Sequence, residues 1–426
     1  MTDFERLKAD ALNIFKAGVA AADPHDAVIH ALREHESAYA NARRVHIIAA
    51  GKAAVPMMRA ALDSLAGDKI GQTLAVTNYE NLVEVAGTKV IGASHPLPDE
   101  NGANAARAVE QIANDAEHGD LVLCLISGGA SALLPAPVAG VSLDEKIKTN
   151  DLLLKSGADI VAMNTVRKAL SRLKGGGLAR AIAPANGLAL ILSDVPGDDL
   201  ATIASGPTVP DPAPLDQALA IVTALGISER LPASVMSHLK ARGEEQPPPF
   251  EPTTRNQLIG SNRISLQATE VAARELGYEV IILAEWLEGD VEVAAKAFHE
   301  RASNVNWTGK IAILAGGETS VHVTGSGKGG RNQEMALRFA ALCKERPLAT
   351  AWAFLSGGTD GRDGPTDAAG GLTTPETIRT LMAKSLSVGD YLANNDAYHA
   401  LQLADALVMT GATGTNVADL QVLLLG

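Results

Sequence analysis

The stretch LVLCLISGGASALL, residues 121–134, carries the pattern that predicts the fold: an apolar run, a glycine turn and a helix-like segment. Two other segments, ILAGGET (313–319) and FLSGGTD (354–360), likewise end an apolar run with a pair of glycines and a short polar group. In open parallel sheets, ligands bind outside the carboxyl ends of the strands. We therefore interpret the three segments as strand ends that border a ligand site.

Further apolar runs rich in Val, Ile and Leu alternate with amphipathic segments along the chain. The first 40 residues read as two helices, with Asp23 and Pro24 between them. Near-continuous apolar strands that alternate with helices indicate parallel sheets covered on both faces, so the predicted fold class is α/β. The additional strand-like runs are VHIIAA (45–50), LALILS (188–193), EVIILA (279–284), KIAILA (310–315) and WAFLS (352–356).

The length of the chain predicts two domains. A chain of 426 residues exceeds the size of one ordinary core. The segment ARGEEQPPPFEP (241–252) places three consecutive prolines after a charged helix end, which is typical of a stiff linker. We predict domains at residues 1–245 and 246–426, with the first strand of the second domain at 256–260. Because glycine-rich strand ends occur in both halves, we expect the site in a cleft between the domains.

The composition favours a cytoplasmic enzyme with small-molecule partners. A net charge of −13 and a pI near 5.3 argue against nucleic acid and anionic membrane surfaces as partners. The start, MTDFERLKAD, is acidic and helical, unlike a signal peptide, and no apolar run approaches the roughly 18 residues that span a membrane. Cys124 and Cys343 lie in a strand-like and a helix-like run, so we expect two buried free thiols. The oligomeric state is left open, and a homo-oligomer is compatible with the sequence.

Two glycine turns in the first half are candidates for anion binding. In SGGASALL, the backbone N–H groups near Ser127, Gly128, Gly129 and Ser131 could approach an anion closely, although a tight strand-to-helix turn explains the same residues. In AAGKAA (49–54), Gly51 and Lys52 follow a strand without the spacing of a Walker A loop. Lys52 could reach phosphates as a point charge, and a surface lysine at a helix start is the alternative.

Two further segments of the first half carry charged candidates. RKALSRLKGGGLAR (167–180) contains Arg167 and Lys174, and a basic helix end with a glycine cap accounts for it without any function. In the segment that begins LSDVPGDDL, Asp194 ends a strand. A carboxylate at that position is a candidate for Mg²⁺ binding or for acid–base chemistry.

In the second half, GGETSVHVTGSGKGGRNQEMAL (316–337) places Glu318 at a strand end and contains a literal GxGxxG at 325–330. As a dinucleotide fingerprint this match is weak, because the flanking βαβ start and the acidic residue about 20 positions later are missing. We expect instead a mobile cationic loop that presents Lys328 and Arg331 to phosphates. The alternative is a hairpin turn running into a helix capped by Asn332.

The glycine-rich segment SGGTDGRDGPTDAAGG (356–371) carries three acids. Asp360 lies nearest the strand end and is the functional candidate, whereas Asp363 and Asp367 are expected to hold the turn. The segment lacks the residue order of an EF-hand. The sequence also contains neither an HExxH zinc motif nor a GxSxG elbow, which argues against a zinc site and against acyl transfer.

Taken together, the motifs resemble the glycerate 2-kinase family, the class II glycerate kinases with a C-terminal MOFRL domain. The resemblance implies a Rossmann-like N-terminal domain, a smaller α/β C-terminal domain and transfer of the γ-phosphoryl group of ATP, with Mg²⁺, to the C2 hydroxyl of D-glycerate. Members often have a histidine where this chain has Ala169 and a longer polar residue where it has Gly177, so the role of that segment is open. The matching segments are AAGKAA, SGGASALL, MNTVRKALSRLKGGGLA, LSDVPGDDLATIASGPTVPDP, GGETSVHVTGSGKGGRNQE, SGGTDGRDGPTDAAGG and NNDAY with TGATGTNVADLQVLLL.

From the residues and the resemblance we assign expected roles. The catalytic candidates are Lys52, Arg331 and Asp194, of which the resemblance implies the first two. The metal candidates are Asp194, Glu318 and Asp360, and the substrate candidates are Arg167, Lys174 and Asp360. The nucleotide candidates are Gly51, Ser127, Gly128, Gly129, Ser131 and Lys328.

Two rival functions stay open at the level of sequence. An NAD(P)H-dependent hydroxypyruvate reductase, a name that relatives of the family have carried, would need a dinucleotide site. A non-catalytic module that binds a phosphosugar or a nucleotide would also use glycine-rich anion loops. It explains less well why both acids and cations accompany these loops.

Overall fold

The computed structural model describes residues 3–211, 213–214, 216–244, 251–305 and 309–426. The chain forms two compact units. The middle unit is Pro24–Ile259, and the terminal unit combines Gly260–Gly426 with the N-terminal residues up to Asp23. Each unit is built around a six-stranded sheet, which confirms the α/β fold class.

The elements are numbered in chain order, and short 3-10 turns are left out. The strands are β1 (Val45–Ala50), β2 (Ile70–Asn78), β3 (Lys89–Ala93), β4 (Leu121–Ile126), β5 (Asn186–Leu192), β6 (Thr254–Gly260), β7 (Glu279–Asp290), β8 (Ile311–Ser320), β9 (Trp352–Gly358), β10 (Gly370–Thr373), β11 (Leu407–Val408) and β12 (Asp419–Leu425). The helices are α1 (Asp3–Ala20), α2 (Pro24–Glu34), α3 (Glu36–Ala40), α4 (Ala54–Ser64), α5 (Glu100–Asp115), α6 (Ala130–Leu133), α7 (Leu143–Lys155), α8 (Ile160–Ala169), α9 (Gly177–Ile182), α10 (Gln217–Ala224), α11 (Ala233–Glu244), α12 (Asn262–Glu275), α13 (Val291–Ser303), α14 (Arg331–Glu345), α15 (Pro375–Ala383), α16 (Val388–Ala393) and α17 (Ala397–Leu403).

The sheet of the middle unit has the strand order β3-β2-β1-β4-β5-β6. The pairs β1–β2, β2–β3, β1–β4 and β4–β5 are all parallel. Every residue of β1 and β4 is buried, as their continuous apolar sequences predict. This is the strand order of the Rossmann fold, and the order reverses between β1 and β4.

Helices cover both faces of this sheet, which is why its strands lack polar alternation. One apolar core joins the strands to α5 and α9 through residues such as Val109 and Ile182, and the other joins them to α2 and α4 through Val28 and Met57. Cys124 lies in the first of these cores and is a free, buried thiol, as is Cys343 of the terminal unit. The prediction of two buried free thiols is confirmed.

The sheet of the terminal unit is mixed, with the order β11-β10-β9-β12-β8-β7. Strand β12 runs antiparallel to both of its neighbours, β8 and β9, and β10 runs antiparallel to β9. The expectation of a parallel sheet in this half was therefore wrong. Apolar runs show that a strand is buried, but they do not reveal its direction, which depends on the connections between strands.

The division between the units differs from the domain boundary expected after residue 245. Strand β6 lies at the edge of the sheet of the middle unit, beside β5, and does not begin the second unit as its position in the chain suggested. Thr253 O accepts the N–H of Gly187 at 3.3 Å next to this pairing. The prolines expected in the linker, residues 247–249, lie outside the described residues.

Helix α1 packs within the terminal unit although it precedes the middle unit in sequence. Its residues Leu7, Ile14 and Phe15 are completely buried, in one core with Leu420 and Val422 of β12. In the described part of the chain, no helix is both long enough and apolar enough to cross a membrane.

Candidate active site

The loops that follow β1 and β4 meet where the strand order reverses. Ser127 donates its backbone N–H to Ala50 O at 2.9 Å, and Gly128 O accepts the N–H of Lys52 at 2.9 Å. Ser127 Oγ accepts the N–H of Ala53 at 3.0 Å. The two glycine turns predicted to bind anions therefore lie side by side, at the crevice where folds of this topology bind their ligands.

Glycine is required at two positions of these turns by close contacts. Gly51 has a φ of +126°, and a methyl group there would lie 2.2 Å from Ser127 Oγ. Gly129 has a φ of +87°, and a methyl group there would lie 3.4 Å from Lys52 Cγ and 3.2 Å from His95 Cδ2. The absence of a side chain at both positions thus lets the two turns pack closely against each other.

Asp194 follows β5 and lies beside the turn after β4. A methyl group on Gly128 would lie 2.2 Å from Asp194 Oδ2, which places the carboxyl against the backbone of that turn. Burial raises the pKa of Asp194 above its ordinary value, although the nearby positive charges of Lys52 and His95 act in the opposite direction. The middle unit therefore brings together the lysine, the glycine turn and the acid that the sequence singled out.

His95 and Glu80 belong to the same group of side chains, but the sequence analysis did not identify them. Burial, together with the charge of Lys52, lowers the pKa of His95, while Glu80 and Asp194 partly offset this. Both residues follow parallel strands, His95 after β3 and Glu80 after β2. That position was the available signal, because parallel strands of one sheet end at the same edge.

Lys174 contacts Ser131 and is buried. Its Nζ lies 2.7 Å from Ser131 O and 2.6 Å from Ser131 Oγ. Arg167, which is half-buried, donates from Nε to Asn150 Oδ1 at 2.6 Å. In this structure the amine of Lys174 therefore fixes a predicted nucleotide residue, and its expected contact with the substrate stays a prediction.

In the terminal unit, the reversed direction of β12 brings an acid to the candidate residues. Asp419, the first residue of β12, lies opposite Gly317 of β8 and Gly358 of β9, near the carboxyl ends of both strands. Arg331 Nε lies 2.5 Å from Asp419 Oδ2, and its Nη2 lies 2.9 Å from Asp419 Oδ1. Glu318 Oε1 lies 3.0 Å from Arg331 Nη1. Arg331 and Glu318, which were predicted separately for catalysis and for metal binding, are thus in direct contact.

Asp419 is the partner that holds Arg331 in place, and the sequence analysis did not predict it. Its side chain is fully buried, so its charge needs the guanidinium beside it. Burial by itself would lower the pKa of Arg331, but the hydrogen bonds and charge of Asp419 raise it above the ordinary value. Two parallel N–H···O bonds to Asp419 fix the plane of the guanidinium, and Glu318 pairs with the remaining nitrogen, Nη1.

The GxGxxG segment is held by several hydrogen bonds, and the mobility expected of this loop stays a prediction. Asn395 Oδ1 accepts the N–H groups of Thr324 and Gly325, at 2.8 and 2.9 Å. Asp396 Oδ1 accepts the N–H of Lys328 at 2.9 Å, and Lys328 Nζ lies 4.1 Å from the centre of a tyrosine ring, that of residue 398. The NNDAY motif therefore fixes the segment by using its backbone donors.

The three acids of the glycine-rich segment have separate environments. Asp363 is buried, and its two carboxyl oxygens accept the N–H groups of Asn332 and Gln333 at 3.1 and 2.8 Å, at the start of α14. Asp367 accepts the hydroxyl of a tyrosine at 2.8 Å. Asp360 accepts the N–H of Arg362 at 2.9 Å and is half-buried. Asp363 thus holds the start of α14 and Asp367 holds a tyrosine, whereas both were expected to hold their own turn, and Asp360 stays the functional candidate.

The metal candidates offer carboxylate oxygens, the ligands that Mg²⁺ prefers. Within the described residues, neither Asp194 nor Glu318 nor Asp360 belongs to a group of three acidic, histidine or cysteine side chains close enough to enclose an ion. Mg²⁺ that binds together with a nucleotide needs only one or two carboxylates from the protein, because phosphate and water oxygens complete its coordination. Asp194, half-buried beside the glycine turn, fits this description best.

Comparison with known proteins gives matches along most of the chain. A family described as a domain of unknown function, DUF4147, matches residues 10–240, and the MOFRL family matches residues 311–419. A glycerate 2-kinase of Pyrococcus horikoshii is 39% identical over 431 residues, which cover 97% of this chain and 96% of that protein. A protein of Agrobacterium vitis with the provisional name hydroxypyruvate reductase is 39% identical over 420 residues, 97% of this chain and 93% of that protein. The crystal structure of a glycerate kinase from Thermotoga maritima matches with a TM-score of 0.91 at 38% identity, covering 99% of this chain and 100% of that chain.

Proposed function

Because the chain belongs to the glycerate kinase family, we propose that it transfers the γ-phosphoryl group of ATP to the C2 hydroxyl of D-glycerate. It is a kinase, so it acts on a nucleotide and a small-molecule acceptor. The observation that carries the proposal is the pair of glycine turns beside Lys52 at the strand reversal, because a kinase must hold phosphates with backbone donors and a cation.

In the middle unit, the proposed task is to bind the nucleotide. The turn that contains Ser127, Gly128 and Gly129 would surround phosphate oxygens, and Lys52 would balance their charge. Asp194 would hold Mg²⁺, and the ion, when bound, neutralises charge on the phosphate oxygens. This use of local cations is needed because the chain as a whole carries a net charge of −13.

In the terminal unit, the proposed task of Arg331 is to stabilise charge on the transferred group. Asp419 fixes the guanidinium through Nε and Nη2, so little side-chain freedom remains to be lost when an anion binds. Glu318, whose side chain is 49% exposed, holds Nη1 and can move into solvent. An incoming phosphate would then replace Glu318 and leave Asp419 in place.

The acceptor side of the reaction is the least determined by the residues. Asp360 at the end of β9 is our candidate to orient the hydroxyl, and Arg167 is our candidate for the carboxylate of glycerate. The relative from Pyrococcus horikoshii is named a glycerate 2-kinase, which favours the C2 hydroxyl. The crystal structure from Thermotoga maritima is described as that of a glycerate kinase, which does not specify the position. C2 therefore belongs to the proposal and needs a direct measurement.

The reductase alternative is disfavoured by the GxGxxG segment itself. A dinucleotide site uses the N–H groups of that segment and the following helix start for the pyrophosphate. Here the N–H groups of Gly325, Gly327 and Lys328 are bonded to residues 394–396, and those of Asn332 and Gln333 are bonded to a buried carboxylate. These five N–H groups are therefore already used and are not available to a pyrophosphate.

The decisive experiment compares two reactions of the purified protein. D-glycerate with ATP and Mg²⁺ is expected to give a phosphoglycerate, and the splitting of carbon signals by phosphorus in the product shows whether C2 or C3 is modified. Hydroxypyruvate with NADH or NADPH is expected to give no cofactor oxidation. Cofactor oxidation without phosphorylation would reject the kinase proposal in favour of the reductase.

The role of Arg331 predicts a large loss of activity in Arg331→Ala. Arginines that stabilise the transferred phosphoryl group contribute about 10³-fold or more to kcat. Arg331→Lys should recover little, because an ammonium group cannot replace the fork that binds Asp419. Steady-state kinetics with glycerate check this, and Arg346→Ala, an exposed arginine after the same helix, is the matched control. A near-normal kcat in Arg331→Ala would contradict the assigned role.

A further inference from the structure

Three side chains of the middle unit form a hydrogen-bonded series that the proposed phosphoryl transfer does not use. Lys174 Nζ lies 2.6 Å from Ser131 Oγ, and Ser131 Oγ lies 3.1 Å from Ser205 Oγ. Ser131 is half-buried in the turn that follows β4, whereas Lys174 and Ser205 are buried. A serine hydroxyl in contact with a buried amine and a second hydroxyl is a nucleophile–base pair with a third group to orient it.

The backbone around the series is fixed in an uncommon conformation. Ser205 has a φ of +62° and its neighbour Ala204 a φ of +52°, both in the left-handed region that residues other than glycine rarely adopt. Ser205 O accepts the N–H of Gly175 at 3.0 Å, which ties this strained turn to the residue after Lys174. The fold thus maintains a costly backbone geometry at the point that brings the two serines and the lysine together.

The environment of Lys174 favours a neutral amine. Burial, together with the charge of Arg167, lowers the pKa of Lys174 to about 7. Arg167 is the cation whose charge acts on this amine. The buried Lys146 is also close, since the charge of Lys174 contributes to lowering the pKa of Lys146. In its neutral form the amine can accept a proton from the Ser131 hydroxyl at the observed separation.

We propose that Ser131 is a nucleophile activated by Lys174 and that it takes the terminal phosphoryl group of bound ATP when no acceptor is present. In this step Ser131 Oγ forms a bond to the γ-phosphorus, and the bond from that phosphorus to the bridging oxygen breaks. ADP leaves, and the hydroxyl proton passes to the neutral amine of Lys174. The product is a phosphoserine at residue 131. This inference rests on the proposed function for the supply of ATP at the neighbouring turn.

The first test is to incubate the intact protein with ATP and Mg²⁺ in the absence of glycerate. Mass spectrometry is expected to find one added phosphoryl group, mapped to Ser131, and none in Ser131→Ala. Lys174→Met is expected to lower the labelling rate about 100-fold, as the loss of a general base does. Lys146→Met is the matched control, because it removes another buried lysine, whose amine donates to a backbone carbonyl, that of Leu170, at 2.8 Å. Labelling of another residue, or equal labelling in Lys174→Met and Lys146→Met, would overturn the proposal.

A second test separates this inference from the proposed function and does not depend on a stable variant. A fluorophosphonate probe reacts with activated serines by forming an O–P bond and releasing fluoride, and it requires no ATP site. The wild-type protein is expected to react at Ser131, at a rate that rises with pH through about 7 as Lys174 loses its proton. If glycerate is phosphorylated but Ser131 reacts with neither reagent, only the present inference fails. If the probe labels Ser131 but glycerate is not phosphorylated, the proposed function fails and the activated serine stands.

Discussion

At the scale of single residues, the candidate site depends on backbone that comes unusually close to side chains. Gly51 and Gly128 leave no room for a methyl group, which would lie 2.2 Å from Ser127 Oγ and from Asp194 Oδ2 respectively. Such spacing lets N–H groups, a lysine and a carboxyl converge on a small volume. The geometry of Asp194 therefore depends on a residue that has no side chain.

The contact between Gly128 and Asp194 predicts that Gly128→Ala lowers kcat/KM for glycerate by about 100-fold. The added methyl group must displace the carboxyl, and a shift of about 1 Å in a reacting group can cost that factor. The matched control is Gly67→Ala, since a methyl group there meets nothing within 4 Å and the backbone is not left-handed. Equal activities of the two variants would show that the position of Asp194 is unimportant.

At the scale of elements, helix α14 unites the candidate residues of the terminal unit. Its first residue is Arg331, and the segment before it is fixed by residues 394–396. The carboxyl of Asp363 accepts two of the N–H groups at the start of the helix that have no partner within the helix. These two groups therefore need no ligand to satisfy them. A helix fixed in this way holds Arg331 against Asp419.

The buried cap predicts a change in the pH dependence of stability in Asp363→Asn. Burial raises the pKa of Asp363 to about 7, although its N–H partners oppose this, whereas the unfolded chain has a value near 4. The protonated carboxyl of Asp363 therefore adds to the free energy of unfolding. This contribution is complete below about pH 4 and is lost as the pH rises through 7. Chemical unfolding from pH 4 to 7 should show a smaller decrease in the unfolding free energy of Asp363→Asn than of the wild type. Asp390→Asn, an exposed acid, is the control and should follow the wild type.

At the scale of the whole molecule, the order of the chain differs from the order of its compact units. Helix α1 belongs to the terminal unit, and β6 belongs to the sheet of the middle unit. A cut after residue 245 would therefore remove an edge strand from one unit and a buried helix from the other. Separate halves of the chain should not be treated as independent domains.

The packing of α1 predicts that Phe15→Ala destabilises the terminal unit by about 3–5 kcal/mol, as truncation of a buried phenylalanine does. Phe15 is fully buried, and a methyl group on Gly357 of β9 would lie 2.9 Å from its ring. Hydrogen exchange should show the loss of protection in β9 and β12, and not in β1 and β4. Phe4→Ala, in the same helix but half-buried, should have a smaller effect. A uniform loss across both sheets would contradict the assignment of α1.

The sequence by itself determined the local features of this protein. Apolar runs that end in glycine turns predicted the positions of β1, β4, β5, β8 and β9, because a strand buried on both faces needs consecutive apolar residues. The same runs identified Lys52, Asp194, Glu318 and Asp360 as residues next to strand ends, whereas Arg331 was identified from the glycine-rich segment before it and from the family resemblance. The family was indicated by long motifs, and comparison with known proteins confirmed it. The assigned roles and the cleft between domains stay predictions.

Only the tertiary structure decided which distant residues meet. Asp419 contacts Arg331, 88 positions away in the chain, because β12 runs antiparallel to its neighbours. The direction of a strand cannot be predicted from an apolar run alone. Lys174 reaches Ser131 across 43 positions, which no local pattern predicts. His95 joins Lys52 and Asp194 because parallel strands end at one edge of the sheet, whatever their separation in the chain. Periodicity is a property of neighbouring residues, whereas these partners are set by the packing of whole elements.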